Sequence, residues 1–179
     1  MTALAIAPAT LADLERHPGR CELIDGEIIE MAPAGFEHAL VVNRIGFLLE
    51  SHRQRAGLDG CVLAGDPGFI LDERHVRAPD VAYLTADRMA TAPARGFMPF
   101  VPSMAVEVVS PGDAWSDVKQ KARMWLDHGV RLVWVVDPIS RTVEVLPAGK
   151  PVVEFNGDDR LDGGDVLPGF SCAVSDCFR

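Results

Sequence analysis

Residues 104–136 constrain the fold more than any other part of the chain. Two apolar segments, at 104–109 and 130–136, have the length and the β-branched content of buried strands. Between them, a helical pattern runs from Ser116 or Asp117 to about Asp127, and Gly129 is a natural stop for it. Strand, helix and strand in this order predict a right-handed βαβ unit with parallel strands.

The first of these strands contains a carboxylate, Glu107, among valines 106, 108 and 109. A carboxylate that is taken out of water without a partner destabilises the fold by several kcal/mol, so it needs a cation, a hydrogen-bond donor or a proton. Two interpretations are open at this point. Either an arginine, a backbone N–H group or solvent at an edge strand satisfies Glu107, or the residue belongs to a functional site.

The rest of the chain predicts a mixed sheet with helices on its faces. Helices are predicted at 11–16 and 36–55, and Asp25-Gly26 between two apolar runs predicts a hairpin with strands at 21–24 and 27–31. Further strands are predicted at 61–64, 68–71, 81–84, 142–146, 151–155 and 166–174. Residues 90–103 show no periodicity, and a connection of that length is typically functional or mobile.

This order predicts an α/β (α+β) fold in one domain, 1–179. Its core is expected at about 19–146, with an N-terminal β-hairpin and a C-terminal β appendage at about 147–179. In the helix at 36–55, the expected buried stripe consists of Phe36, Leu40, Val41, Phe47, Leu48 and Leu49. Glu37 is expected at the border of that stripe, where the helix dipole alone also favours an acidic residue.

The composition is that of an ordinary globular protein, with 48% hydrophobic and 24% charged residues. No apolar run reaches the length of a membrane span, and the first ten residues lack the basic start of a signal peptide, so a cytoplasmic location is expected. The net charge of −9 argues against non-specific coating of nucleic acid, which depends on neutralising phosphates. It suits a site that gathers carboxylates around a divalent cation.

Three charged residues are expected to converge on such a site. Asp80 follows Pro79 at the entrance of one strand, Glu107 lies inside the next, and Lys121 precedes Trp125 by one helical turn. Two neighbouring carboxylates repel unless a cation intervenes, and magnesium needs only one or two carboxylates besides its waters. Taken locally, Asp80 also reads as a turn carboxylate.

At this point the sequence resembles a known family. P-D at 79–80, with a glutamate on the next strand in an αβββαβ order, resembles the PD-(D/E)XK nuclease superfamily. More closely, the chain is similar to the Uma-two ("putative restriction endonuclease") family. The matching segments are E-L-I-D-G-E at 22–27, E-H at 37–38, P-D-V at 79–81, V-E-V-V-S-P at 106–111, K-x-x-x-W at 121–125 and G-V-x-x-V-W-V-V-D-P at 129–138.

The resemblance implies a restriction-endonuclease-like core and phosphodiester hydrolysis of DNA that depends on magnesium or manganese. Asp80, Glu107 and the backbone carbonyl of Val108 would hold the metal, Glu37 would complete the acidic cluster, and Lys121 would assist the attacking water. The superfamily lysine two residues after the strand glutamate is replaced by Val109, and the family pattern moves it to the next helix, at Lys121. A homodimer is expected by analogy with the fold.

Other interpretations remain open on the sequence alone. The missing lysine at position 109 and the acidic charge favour a catalytically degenerate nuclease fold that serves as a binding or assembly module. A two-carboxylate glycosidase is a third possibility, which the separation of the carboxylates would decide. His38, beside Glu37, is a further candidate for contact with substrate or metal.

Overall fold

The computed structural model describes residues 7–179. The prediction that the N-terminus is not a signal peptide concerns in part residues 1–6, which lie outside the described range. Among the described residues, no helix combines the length and the apolar character needed to cross a membrane.

Four helices and twelve strands make up the described chain. In order they are α1 (Leu11–Arg16), β1 (Cys21–Ile24), β2 (Glu27–Glu30), α2 (Phe36–Arg55), β3 (Gly60–Ala64), β4 (Phe69–Asp72), β5 (His75–Arg77), β6 (Val81–Thr85), α3 (Ala86–Ala90), β7 (Met104–Val108), α4 (Trp115–Asp127), β8 (Leu132–Asp137), β9 (Thr142–Pro147), β10 (Val153–Asn156), β11 (Arg160–Asp162) and β12 (Ser171–Ala173). A 3-10 helix, Val174–Phe178, ends the chain.

The central element is a six-stranded mixed sheet in the order β10-β9-β8-β7-β6-β3. β7 and β8 are parallel and are joined through α4, whereas the other neighbours in this sheet are antiparallel. The predicted βαβ unit and fold class are therefore confirmed. β7 lies between two strands and is buried along its whole length, so Glu107 is in the interior and not on an exposed edge.

A second sheet, β2-β1-β5-β4, contains the predicted N-terminal hairpin. Asp25 and Gly26 have φ values of 53° and 78°, which the Asp-Gly pair tolerates and which the tight turn requires. β5 leads through Ala78 and Pro79 directly to the start of β6. Asp80 consequently stands at the junction of the two sheets.

The buried side of α2 differs from the predicted stripe. His38, Val41, Ile45 and Leu49 face the core at helical spacing, whereas Phe36, Leu40 and Phe47 are exposed. The helix is apolar on several sides, so its sequence alone allowed two overlapping stripes. The choice between them decides which of Glu37 and His38 points into the protein.

The segment between α3 and β7 is attached to the second sheet. Met98 donates its N–H to the Gly68 carbonyl and accepts from the Ile70 N–H, at 3.0 and 2.8 Å. The Phe97 side chain packs beside the hairpin core, and a Cβ atom at Gly68 would overlap its ring. This connection is thus held in place by backbone hydrogen bonds.

The C-terminal segment is part of the main core. β10 extends the large sheet at its edge, and Leu161, Leu167 and Phe170 belong to the same hydrophobic cluster as the buried face of α2. The predicted strand at 166–174 is mostly wrong. Val166 and Leu167 instead close a turn on the Gly163 carbonyl, and the strands here are β11 and β12.

Candidate active site

The register of β6 and β7 brings the two predicted carboxylates together. Val81 pairs with Val106 in an antiparallel ladder, so residues 80 and 107 stand opposite each other, just beyond that pair. Asp80 Oδ2 accepts a 2.6 Å hydrogen bond from the Val108 N–H. Both carboxylates are buried.

Helix α4 supplies two partners to Glu107. The Nζ atom of Lys121 lies 2.8 Å from Glu107 Oε2, and the indole N–H of Trp125 donates to Oε1 at 2.6 Å. Lys121 and Trp125 are four residues apart, and this spacing places both on the side of the helix that faces the sheet. The Lys121 side chain is 15% exposed and contacts the strand glutamate instead of extending into solvent.

Lys121 also contacts the N-terminal hairpin. Its Nζ donates to the Ala78 carbonyl at 2.8 Å and lies 3.4 Å from Glu22 Oε1. Glu22 in turn accepts from the Ala78 N–H at 2.8 Å and pairs through Oε2 with Arg77 Nε, also at 2.8 Å. The site therefore contains a third buried carboxylate that comes from the second sheet.

The structure does not bring Glu37 to this cluster. Glu37 is exposed on α2, and the next residue, His38, turns inward, so that its Nε2 lies 3.3 Å from Asp80 Oδ1. The expectation that Glu37 completes the acidic cluster is corrected for this reason. The hydrogen bond to Asp80 raises the pKa of His38, and the Val108 carbonyl raises it further. Burial opposes both effects.

Charge is unevenly balanced around Glu107. Burial raises the pKa of Glu107 to about 7, and nearby Asp80 adds to this effect, while Lys121 opposes it. Burial on its own lowers the pKa of Lys121, but the carboxylates of Glu107 and Glu22 outweigh it and raise the pKa overall. The Glu107 carboxylate is therefore poorly solvated, and positive charge beside it stabilises its ionised form.

These groups line a cavity of about 660 Å³ that opens to solvent. Its floor holds Glu22, His38, Asp80, Glu107 and Lys121, and its rim is formed by β2, the 110–114 turn and Phe97. Asp66 lines another wall and forms an ion pair with Arg20 at 2.5 Å. Burial is the main reason that the pKa of Asp66 is raised, and Asp80 contributes to the increase.

Comparison with known proteins identifies the family. The sequence matches Uma2, described as "Putative restriction endonuclease", over residues 8–175. The chain belongs to the Uma2 family. Family membership confirms the resemblance found in the sequence and supports a nuclease function.

A solved structure has the same fold. It is a putative nuclease belonging to DUF820 from Anabaena variabilis ATCC 29413, with a TM-score of 0.82 and 19% sequence identity. The match covers 96% of this chain and 98% of that one. No curated protein matches the chain significantly.

Within this Uma2 chain, the donors present fit a hard divalent cation that takes few protein ligands and keeps several of its waters. No group of three or more His, Cys, Asp or Glu residues among residues 7–179 is arranged to hold a metal ion. Two opposed, buried carboxylates beside a cavity that opens to solvent nevertheless provide oxygen donors of the kind that magnesium takes together with water. Burial is the first cause of the raised pKa of Glu107, and a cation bound beside the carboxylate would oppose this effect.

The sequence patterns did not identify two residues of the site, Glu22 and Asp66. Glu22 stands in a four-residue apolar strand, and the rule for buried carboxylates that singled out Glu107 applies there equally. Asp66 lies in the connection between β3 and β4, with a φ of 60°. Its position at the cavity depends on contacts with residues far away in the chain, such as Arg20, and no local sequence pattern indicates them.

Replacing Trp125 by phenylalanine is expected to destabilise the protein by about 1.5–3 kcal/mol, because a buried carboxylate loses an N–H donor. The ring remains packed against Phe69, with which it makes an edge-on contact. Urea unfolding measures the change in the free energy of unfolding. Replacement of the half-exposed Trp115 by phenylalanine is the matched control, and an equal loss in both variants would contradict the importance of this bond.

Proposed function

We propose that this Uma2 protein is a divalent-metal-dependent DNA endonuclease. The observation that carries the proposal is the opposition of Asp80 and Glu107 across β6 and β7, with the Lys121 ammonium held on Glu107 from α4. This arrangement supplies the three charged groups of a nuclease site although Val109 occupies the usual lysine position. Family membership supports the reaction class.

Asp80 and Glu107 would hold a magnesium or manganese ion, with the backbone carbonyl of Val108 as a third donor. Such an ion, when bound, makes water a better nucleophile and stabilises charge on phosphate oxygens. His38 lies beside Asp80 and helps to orient that carboxylate. Glu37, which is exposed on α2, has no part in the proposal.

Lys121 has a separate task in the proposed reaction. Its ammonium is a charged donor at the floor of the cavity, where it can orient the attacking water or offset charge that develops on the phosphate. Burial at the sheet strengthens this interaction, since water screens it less than at an exposed site. A homodimer would present two such sites to the two strands of DNA, which is an inference from the fold.

Cleavage of plasmid DNA with magnesium tests the proposal. Wild type is compared with Asp80→Asn, Glu107→Gln and Lys121→Ala, and each variant is expected to lose at least about a hundredfold in rate. Lys119→Ala on the same helix is the control, because Lys119 pairs with Glu144 away from the cavity. Equal cleavage by all five proteins would exclude this site.

A binding or assembly module on the same fold is the second candidate. Val109 in the usual lysine position favours it, as does the absence of a larger ligand cluster among residues 7–179. Titration calorimetry with manganese separates the two candidates. Binding that Asp80→Asn abolishes supports the nuclease, and no heat at millimolar metal supports the module.

A further inference from the structure

Lys121 is surrounded by more acceptors than a link to Glu107 requires. The Nζ atom lies among three oxygens, from Ala78 at 2.8 Å, Glu107 at 2.8 Å and Glu22 at 3.4 Å. An ammonium group has three N–H donors and no acceptor. One donor goes to the Ala78 carbonyl, and the two carboxylates lie at ion-pair distance. The third oxygen comes from β1, outside the sheet that carries Asp80 and Glu107.

Glu22 and Lys121 together hold the backbone of one residue, Ala78. The Glu22 Oε1 atom accepts from the Ala78 N–H, while Lys121 donates to the Ala78 carbonyl. Ala78 precedes Asp80 by two residues, through Pro79. A single carboxylate is thus connected to the strand entrance that carries Asp80 and to the lysine that faces Glu107.

This arrangement matters most when Glu107 is engaged elsewhere. In the proposed nuclease, Glu107 shares its charge with a metal ion and attracts Lys121 less. The Glu22 side chain is only 4% exposed and its Oε1 atom lies 3.4 Å from the ammonium, so it can keep the cation in place. Without it, Lys121 would have one neutral acceptor left.

We propose that Glu22 is a positioning residue that holds the Lys121 ammonium at the cavity floor, through direct ion pairing and through the Ala78 peptide. The proposal rests on the proposed nuclease function and adds to it. A purely structural role is the competing explanation, because Glu22 also neutralises the partly buried Arg77 at 2.8 Å. The two explanations predict different effects on Lys121.

Kinetics provide the first test. Glu22→Gln is expected to lower kcat for DNA cleavage roughly 100-fold, as expected for a misplaced catalytic group, with KM for DNA and manganese affinity unchanged. Glu27→Gln, at an exposed position of the same hairpin that does not line the cavity, is the control and should cleave like wild type. An unchanged kcat in folded Glu22→Gln, or a loss confined to KM, would overturn the proposal.

The second test does not require cleavage. The chain has three lysines, at 119, 121 and 150, so lysine-labelled protein gives side-chain ammonium spectra that a Lys121→Met variant can assign. Lys121 should show a protected ammonium signal in wild type and in Arg77→Gln, and lose its protection in Glu22→Gln. Equal loss in Arg77→Gln and Glu22→Gln would favour the structural explanation and overturn the proposal.

If Glu22→Gln does not fold, the variant Glu22→Asp, with a shorter carboxylate side chain, provides the test. Glu22→Asp keeps the negative charge beside Arg77 but cannot span the distance to both Ala78 and Lys121. It is expected to reduce the protection of the Lys121 ammonium, and full protection would contradict the proposal. If wild type binds manganese but does not cut DNA, the nuclease function fails, while the lysine spectra still decide the role of Glu22.

Discussion

Replacing Glu107 by glutamine is expected to lower metal-dependent DNA cleavage at least about a thousandfold, because one charged metal donor and the counter-charge of Lys121 are lost together. The amide has nearly the shape of the carboxylate and can still accept from the Trp125 N–H, so the fold should persist. Single-turnover cleavage of labelled DNA measures the rate. Titration with manganese should show weaker binding in the same variant.

Glu144 offers a matched control on the same sheet face. Glu107 pairs with Val135 in the ladder, and Val135 pairs with Glu144, so the two glutamates lie in one row two strands apart. Glu144 is also buried and pairs with a lysine of α4, Lys119, at 2.9 Å, but it lies outside the cavity. Glu144→Gln should therefore cleave DNA normally. A similar loss in both variants would show that charge balance in the sheet, and not the site, controls activity.

The metal-free protein is expected to lose stability as the pH rises from 5 to 8. The pKa of Glu107 in the folded state, about 7, exceeds its ordinary value of 4.5. Its stabilising effect is complete below about pH 4.5 and is lost as the pH rises through 7, a change of about 3 kcal/mol in the free energy of unfolding. The raised pKa of His38 gives a change of the same sign.

Urea unfolding in the presence of a chelator, at several pH values, measures this change. Magnesium or manganese should restore more stability at pH 8 than at pH 5, because the ion binds the deprotonated carboxylate and the folded state only. In Glu107→Gln, both the loss of stability with rising pH and the pH dependence of stabilisation by metal should be smaller. If the metal-free protein became more stable between pH 5 and pH 8, the assigned pKa of Glu107 would be wrong.

The fold around β7 could be predicted from sequence because local pattern and topology agree there. When two apolar strands flank one amphipathic helix, the strands pair in parallel and the connection is almost always right-handed. This handedness fixes the side of the sheet that α4 covers. Lys121 and Trp125 then reach Glu107 by helical spacing alone. The roles of Asp80, Glu107 and Lys121 in catalysis stay predictions.

The parts that could not be predicted depend on contacts between distant segments. Glu22 and Lys121 are 99 residues apart in the chain (121 − 22), and no periodicity relates them. In α2, the assignment of Glu37 to the site failed because apolar residues occupy several sides of the helix. Packing of Val41 and Ile45 against the sheet selects the rotation that turns His38, and not Glu37, toward Asp80.

The attachment of Met98 to β4 has a consequence for turnover. Backbone hydrogen bonds on both sides of Met98 make this segment a fixed wall of the cavity. In the proposed nuclease, a nucleotide strand would then enter and leave past β2 and the 110–114 turn, without waiting for the 91–103 connection to open. Release of the cut ends would then depend on how tightly Lys121 and the bound ion hold the phosphate, and not on movement of this segment.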